Sequence, residues 1–184
     1  MTAVPVGGRR YGSGVDENTF WSLVDRARQS DPDEVGEALE VVLRDVGTAD
    51  LVSFEQTYHR VAARAYTWEV WGAAYVAMGG CSDDSFDYFR AWLVGRGEDA
   101  FHRVVADPDS LADLVAGSGD AGDPEDWMED EALLGAADTV HEDRTGDHIT
   151  FTEPLPDPDL GEEWDFDDEP EMRRRYPRLA AQFL

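Results

Sequence analysis

Residues 66–97, YTWEVWGAAYVAMGGCSDDSFDYFRAWLVGRG, hold three of the six tryptophans, three of the six tyrosines, two of the eight phenylalanines and the only cysteine. That much aromatic surface in so short a run has to be covered from several sides, so the rest of the chain is expected to pack around it. Trp68, Trp71, Tyr75 and Met78 recur at i, i+3, i+7 and i+10, which puts them on one face of a helix from about Thr67 to Met78. Gly79 and Gly80 end that helix, because glycine enters the left-handed conformation of a helix C-terminus without a Cβ clash. Ser82 is placed to cap a second helix running to about Val94, with Asp83 and Asp84 at the positive end of its dipole. On that helix Phe86, Phe89 and Leu93 form one apolar stripe and Tyr88 and Trp92 another. The two segments are therefore predicted to form a tight helical hairpin at the centre of the fold.

The flanking sequence reads as helix in both directions. Asp16 caps a segment to about Gln29 with Phe20, Val24 and Ala27 inward, and Asp31-Pro32-Asp33-Glu34 is a start signal for a helix ended by Gly47. Thr48 is expected to cap a third helix that turns Leu51, Phe54, Tyr58, Val61 and Ala65 to one side. After Gly95 and Gly97 come a short helix around Phe101, Val104 and Val105, then a turn or two around Leu111, Leu114 and Val115. Beyond residue 117 the pattern predicts a helix from Asp123 to about Glu142, a short strand at Ile149 and Phe151, a proline-rich extended segment, and a last helix kinked or started by Pro177. The expected organisation is a flexible arm over 1–14, a helical core over 15–117, and an acidic extension over 118–184 that packs back on it. The fold class is all-α, with about seven to eight helices.

Charge is distributed unevenly. The chain carries 41 acidic and 15 basic side chains for a net charge of −26, and every basic residue is arginine. Residues 118–171 hold 21 of the carboxylates and one basic residue, Arg144. Such a balance argues against binding nucleic acid or an anionic membrane surface, where affinity comes from cations set against phosphates. It favours cationic proteins, metal ions or neutral small molecules as partners. A single cysteine forms no internal disulfide, Arg9-Arg10 has no apolar segment after it, and no run approaches the ~20 apolar residues of a membrane span. The expected location is the reducing cytoplasm.

The run W-x-x-W-G-A-A-Y from Trp68 to Tyr75, followed by GGCSDDSFDYFRAWL from Gly79 to Leu93, resembles an uncharacterised bacterial family, domain of unknown function 4240. DPDSLADL at 107–114 and the pair Phe20-Trp21 are similar to its flanking pattern, so the resemblance covers about 15–115. Weaker echoes occur in GEEWD at 161–165 and YPRLAAQF at 176–183. The resemblance implies kinship and carries no activity with it.

Two groups of residues stand out as candidate sites. If the hairpin opens into a cleft, Tyr75, Asp83, Asp84, Asp87, Tyr88, Arg90 and Trp92 bring carboxylates, a guanidinium and aromatic faces together, the mixture of a small-molecule or peptide pocket. The alternative for the same residues is a polar network that holds the hairpin closed, with Asp87 and Arg90 as a surface ion pair. Glu162, Glu163, Trp164, Asp165 and Phe166 form the second group, a candidate surface for a basic partner, in which the two aromatics either anchor the loop or present a docking face.

Other features point more weakly to chemistry. Cys81 precedes a helix N-terminus, where a thiol pKa can fall, but Asp83 and Asp84 oppose a thiolate. Gly95-Arg96-Gly97 looks like a phosphate loop until Glu98 and Asp99 occupy the anion's place. Asp157 and Asp159 with Glu162, Glu163 and Asp165 look like a calcium loop, but the loop glycine, Gly161, stands one place too early. Glu55 and His59 sit one helical turn apart, and the four histidines have no ligand spacing. No metal or cofactor is expected. The leading functional expectation is a non-enzymatic interaction or regulatory protein that binds a basic partner through its acidic face. The alternatives are an enzyme or small-molecule binder using the hairpin pocket, and a divalent-cation binder using the acidic segment.

Overall fold

The computed structural model describes residues 14–117, 128–151 and 159–184. The described residues form ten α-helices, two 3-10 turns and no strand, the all-α architecture that the periodicities predict, divided into more pieces than expected. The expected arm falls outside the described residues except for Gly14. Val15 is already buried, with its N–H donated to Ser53 Oγ at 2.7 Å and its carbonyl accepting from Thr57 Oγ1 at 2.8 Å.

Helix α1 (Glu17–Ser30) starts at the Asp16 cap and buries Phe20, Trp21, Leu23, Val24 and Ala27. Helix α2 (Val35–Leu43) begins later than the Asp31-Pro32 signal implies. Asp31 does accept from the amides of Asp33 and Glu34, but Glu34 makes no capping bond. The acceptor comes instead from far along the chain, because Asp130 Oδ2 takes the Gly36 N–H at 3.1 Å while its Oδ1 caps α8 (Glu131–Thr145) through Leu133 N–H at 2.8 Å. At the other end of α2, the Arg144 guanidinium donates to the carbonyls of Leu43, Arg44 and Val46. Helices α2 and α8 thus run side by side in the same direction, tied at one end by the Asp130 cap of α8 and at the other by Arg144. Gly36 permits the approach, since a Cβ there would lie 2.2 Å from Asp130 Oδ1 and 2.4 Å from Leu133 N.

Helix α3 (Thr48–Ala62), with Gly47 and not Thr48 at its cap, buries Leu51, Phe54, Tyr58 and Val61 and ends in a 3-10 turn at Ala63–Ala65. Helices α4 (Trp68–Met78) and α5 (Asp83–Gly95) form the predicted hairpin. Thr67 caps α4, Gly79 leaves it at φ +71°, and Ser82 caps α5 by accepting from Ser85 N–H. Seven of the eleven α4 residues are buried apolar side chains, so α4 is covered on nearly every side. A column of five stacked rings ties the hairpin together: Trp68 on Trp71 (centroids 5.2 Å), Trp71 on Phe86 (4.6 Å), Phe86 on Phe89 (6.1 Å) and Phe89 on Trp92 (5.7 Å). Each such pair adds about 0.5–1.5 kcal/mol beyond the area it buries.

Helix α6 (Glu98–Ala106), a 3-10 turn at Pro108–Ser110 and α7 (Leu111–Gly117) complete the central part. The start of the helix expected from Asp123 lies outside the described residues, but its continuation does not hold at 128–130, which are not helical: Asp130 takes a cap conformation and the helix begins only at Glu131. The expected strand at Ile149 and Phe151 does not form. Among the described residues no second strand lies beside it, and its backbone is pinned by a side chain: Asp138 accepts from Ile149 N–H at 2.6 Å and pairs with His148 at 2.8 Å. Phe151 packs edge-on against the His59 ring.

Residues 159–168 cross the start of α4, where Leu160 accepts the Trp68 N–H, one of the amides a helix leaves unpaired at its first turn. Then come α9 (Glu169–Arg175) and α10 (Pro177–Phe183), the latter started by Pro177 as expected. Buried Asp109 accepts from the backbone amides of Arg178 and Leu179 at 3.0–3.1 Å and so caps α10 across the fold.

Candidate functional site

The seven hairpin residues do not converge on one cleft. Asp83 and Asp84 stand exposed on the first turn of α5. Asp87 pairs with Arg90, whose guanidinium also donates to the Ala62 carbonyl at 3.2 Å and lies 4.6 Å from the Tyr66 ring centre. Arg90 therefore ties α5 to the end of α3. Tyr88 faces α8: its carbonyl accepts the Asp130 N–H, and its phenol is pushed to higher pKa chiefly by the charge of Glu131. Trp92 is buried at the end of the ring column beneath Arg96, beside a small polar pocket of about 120 Å³ that includes Glu34 and Asp130. Asp130 itself is pushed to higher pKa by burial, against the two amides it accepts.

Tyr75 points the other way, toward the acidic segment. Its hydroxyl donates to Asp167 Oδ1 at 2.9 Å, a contact that raises the phenol pKa. Phe166 packs against the rings of Trp68 (5.8 Å), Tyr75 (5.3 Å) and Trp164 (5.4 Å). Trp164 in turn lies under the Arg175 guanidinium at 3.8 Å and donates its indole N–H to Met172 Sδ at 3.3 Å. Arg175 is held between two carboxylates, Glu69 (2.9 Å) and Glu171 (2.7 Å). The same Glu171 also holds Arg174, and these guanidinium contacts lower its pKa to about 2.

Trp164 and Phe166 are thus half-buried anchors, and the carboxylates beside them stay in solvent. Glu162, Glu163 and Asp165 are exposed. Together they form an open groove of about 660 Å³ whose floor is Trp68, Tyr75, Trp164 and Phe166 and whose rim is Glu163, Asp165 and Asp167. Tyr75 belongs to this groove and not to the α5 cluster. Trp68, Glu69, Asp167 and Arg175 were not singled out from the sequence as site residues. Trp164 and Phe166 stand two residues apart, and in an extended segment that spacing puts both on one face, ready to meet the Trp68 and Tyr75 face of α4.

Approach is closest at Gly72, where a Cβ would meet Tyr176 Oη at 2.5 Å and Trp164 Cζ2 at 2.9 Å. Tyr176 donates to the Glu69 carbonyl at 2.7 Å, and burial pushes its phenol to higher pKa. The C-terminal segment is therefore fitted to α4 by a missing side chain as well as by rings.

The weaker candidates resolve into local structure. Cys81 is half-buried, its carbonyl accepts the Trp71 indole N–H at 3.0 Å, and its thiol is pushed up to about 12 by burial and then by Glu129. His59 pairs with Glu55, and His102 packs on Trp21 and Phe101, so neither is in contact with the thiol. Gly95-Arg96-Gly97 is the α5–α6 turn, with Gly97 at φ +92°. In the segment compared above with a calcium loop, Asp157 lies outside the described residues and Asp159 accepts from Gly161 N–H at 3.0 Å. No group of three or more possible metal ligands occurs among the described residues. No helix there is long and apolar enough to cross a membrane.

The family of proteins of unknown function DUF4240 matches residues 15–143, well over half of the chain. The chain belongs to DUF4240. No curated protein and no solved structure matches it. The DUF4240 match runs through the composition change at residue 118, takes in Asp130 at the start of α8 but stops one residue short of Arg144, and ends before the 159–168 segment. Trp68 and Tyr75 of the groove lie inside the DUF4240 region, and the Glu163 to Asp167 wall lies beyond it.

Proposed function

We propose that this DUF4240 protein is a non-enzymatic cytoplasmic interaction module that binds a basic protein partner through the acidic face centred on the 159–168 segment. The observation that carries the reading is the groove itself. Its aromatic floor is immobilised by Phe166, Trp164 and the Tyr75–Asp167 bond, while its rim carboxylates point to solvent. Fixed rings supply contact area at little cost in side-chain entropy, and carboxylates around them steer a cationic surface into register. The whole chain reinforces this, since a net charge of −26 draws in cationic proteins and repels polyanions. The hairpin offers less to a ligand: Arg90, Asp87 and Trp92 are engaged within the fold, and Cys81 has neither a low pKa nor a base at hand.

The test is retention of the full chain on immobilised protamine, an arginine-rich protein, over a salt series. Retention that falls steeply with added salt is the expected result, because the contact is between solvated charges. Retention that does not respond to salt contradicts the reading.

A further inference from the structure

Arginine, aromatic ring and carboxylate recur together in this molecule in a fixed arrangement. Arg90 lies over the Tyr66 ring and pairs with Asp87, and Arg175 lies over Trp164 and pairs with Glu69 and Glu171. The groove between α4 and the acidic segment repeats the arrangement with one part missing. It has the rings of Trp68, Tyr75 and Phe166 and the carboxylates of Glu163 and Asp165, and among the described residues that line it there is no arginine. Glu163 has no bonding partner among the described residues. Asp165 uses Oδ1 to accept the Asp167 N–H and keeps its second oxygen free of any described partner.

We propose that the groove is a subsite for an arginine side chain of the basic partner, stacked on the α4 and Phe166 rings and forked by Glu163 and Asp165. The proposal rests on the reading that the acidic face binds a basic protein, and it names the group that is recognised there.

Charge complementarity sets the sign of the ligand. Eight carboxylates and no basic residue lie between Asp159 and Glu171. The rings then select among cations. A guanidinium is flat, weakly hydrated and able to stack on an aromatic face while donating two parallel hydrogen bonds at its edge, whereas an ammonium is a compact, strongly hydrated point charge. A hard divalent cation fits worse, because it asks for six to eight oxygens and the floor here is hydrocarbon. Size agrees as well. About 660 Å³ accommodates a side chain with its flanking backbone, and the groove's openness to solvent suits a residue presented from the surface of another protein.

The experiment titrates the full chain with the capped peptide Gly-Arg-Gly-Arg-Gly and with two matched peptides in which citrulline or lysine replaces arginine, following the indole N–H resonances of Trp68 and Trp164. Citrulline keeps the shape and removes the charge. The expected result is saturable shifts at both indoles with the arginine peptide, at least about tenfold weaker binding with citrulline, and several-fold weaker binding with lysine. Glu163→Gln with Asp165→Asn lowers arginine-peptide affinity at least about fivefold with thermal unfolding unchanged; the asparagine retains the acceptor for the Asp167 amide. Equal binding of the citrulline peptide, no saturable binding of the arginine peptide, or shifts confined to other tryptophans overturns the proposal. Protamine retention separates this from the broader reading. If protamine still binds in a salt-dependent way while the arginine peptide does not, the subsite is wrong and the acidic face stands. If the peptide binds and protamine does not, the subsite stands and the face as a protein-docking surface falls.

Discussion

The hairpin of α4 and α5 and the segment over 159–168 are both built from aromatic residues and carboxylates, and they put them to opposite uses. In the hairpin the rings stack into a column that is almost wholly buried, and the polar groups beside the column are engaged internally: Arg90 on Asp87, Tyr66 and the Ala62 carbonyl, and the Trp71 indole on the Cys81 carbonyl, with Asp83 and Asp84 left exposed on the first turn of α5. In the acidic segment two rings are anchored and most carboxylates are left in water. A conspicuous motif can therefore be a spine, and a stretch that reads as solvated loop can carry the accessible chemistry. What decides between them is whether each polar group already has a partner.

The comparison can be broken most sharply at Phe86. It is fully buried between Trp71 and Phe89, so Phe86→Ala should cost about 3–5 kcal/mol of stability in denaturant unfolding. A loss under about 1 kcal/mol would mean that the column is not the spine. Gly72→Ala comes next, at about 1–3 kcal/mol, because the new methyl group must displace Tyr176 and Trp164. Its effect should be regional: hydrogen exchange speeds up in α9 and α10 while the buried face of α5 stays protected. Uniform acceleration would show that the two regions are one cooperative unit.

A smaller effect is expected from pH. The folded pKa of Glu171, about 2, lies below its ordinary value of 4.5, so its clamp on Arg174 and Arg175 is fully present above about pH 4.5 and is lost as the pH falls toward 2. Because Arg175 covers Trp164, emission from that indole should change across this acid range, and Glu171→Gln should flatten the change. An identical acid transition in the variant would remove Glu171 from the account. The smallest effect belongs to Asp84→Ala, on an exposed carboxylate of the hairpin motif, which should alter stability by less than about 0.5 kcal/mol. A larger loss would place Asp84 in a network that the contacts around it do not contain.

Much of the fold was legible in the sequence because it depends on neighbours in the chain. The 3.6-residue spacing of Trp68, Trp71 and Tyr75, the glycine exit at Gly79 and the caps at Asp16 and Ser82 all act within a few residues, and all are found as expected. The features with no local signal act over long separations. The acceptor for α2 is Asp130, 94 residues from Gly36, and the cap of α10 is Asp109, 69 residues from Arg178. Arg144, the one basic residue of the acidic stretch, binds carbonyls about a hundred residues away. No local pattern distinguishes such a residue from an ordinary surface charge.

The candidate site was legible in its parts. The sequence places Tyr75 in one cluster and Trp164 and Phe166 in another, and only the crossing of α4 by the C-terminal segment joins them. Asp167 carries no local signal, because it is one carboxylate among many and only the Tyr75 hydroxyl, 92 residues away, sets it apart.

The most direct test of the central claim neutralises two carboxylates in each region and compares the pair. Asp83→Asn with Asp84→Asn, and Glu163→Gln with Asp165→Asn, each take the net charge from −26 to −24, so any bulk electrostatic effect is matched. The affinity of each variant for protamine is then measured at one fixed salt concentration. A clear loss is expected for the Glu163 and Asp165 pair, and near wild-type affinity for the Asp83 and Asp84 pair. Equal losses, or a larger loss from the hairpin pair, would contradict the claim.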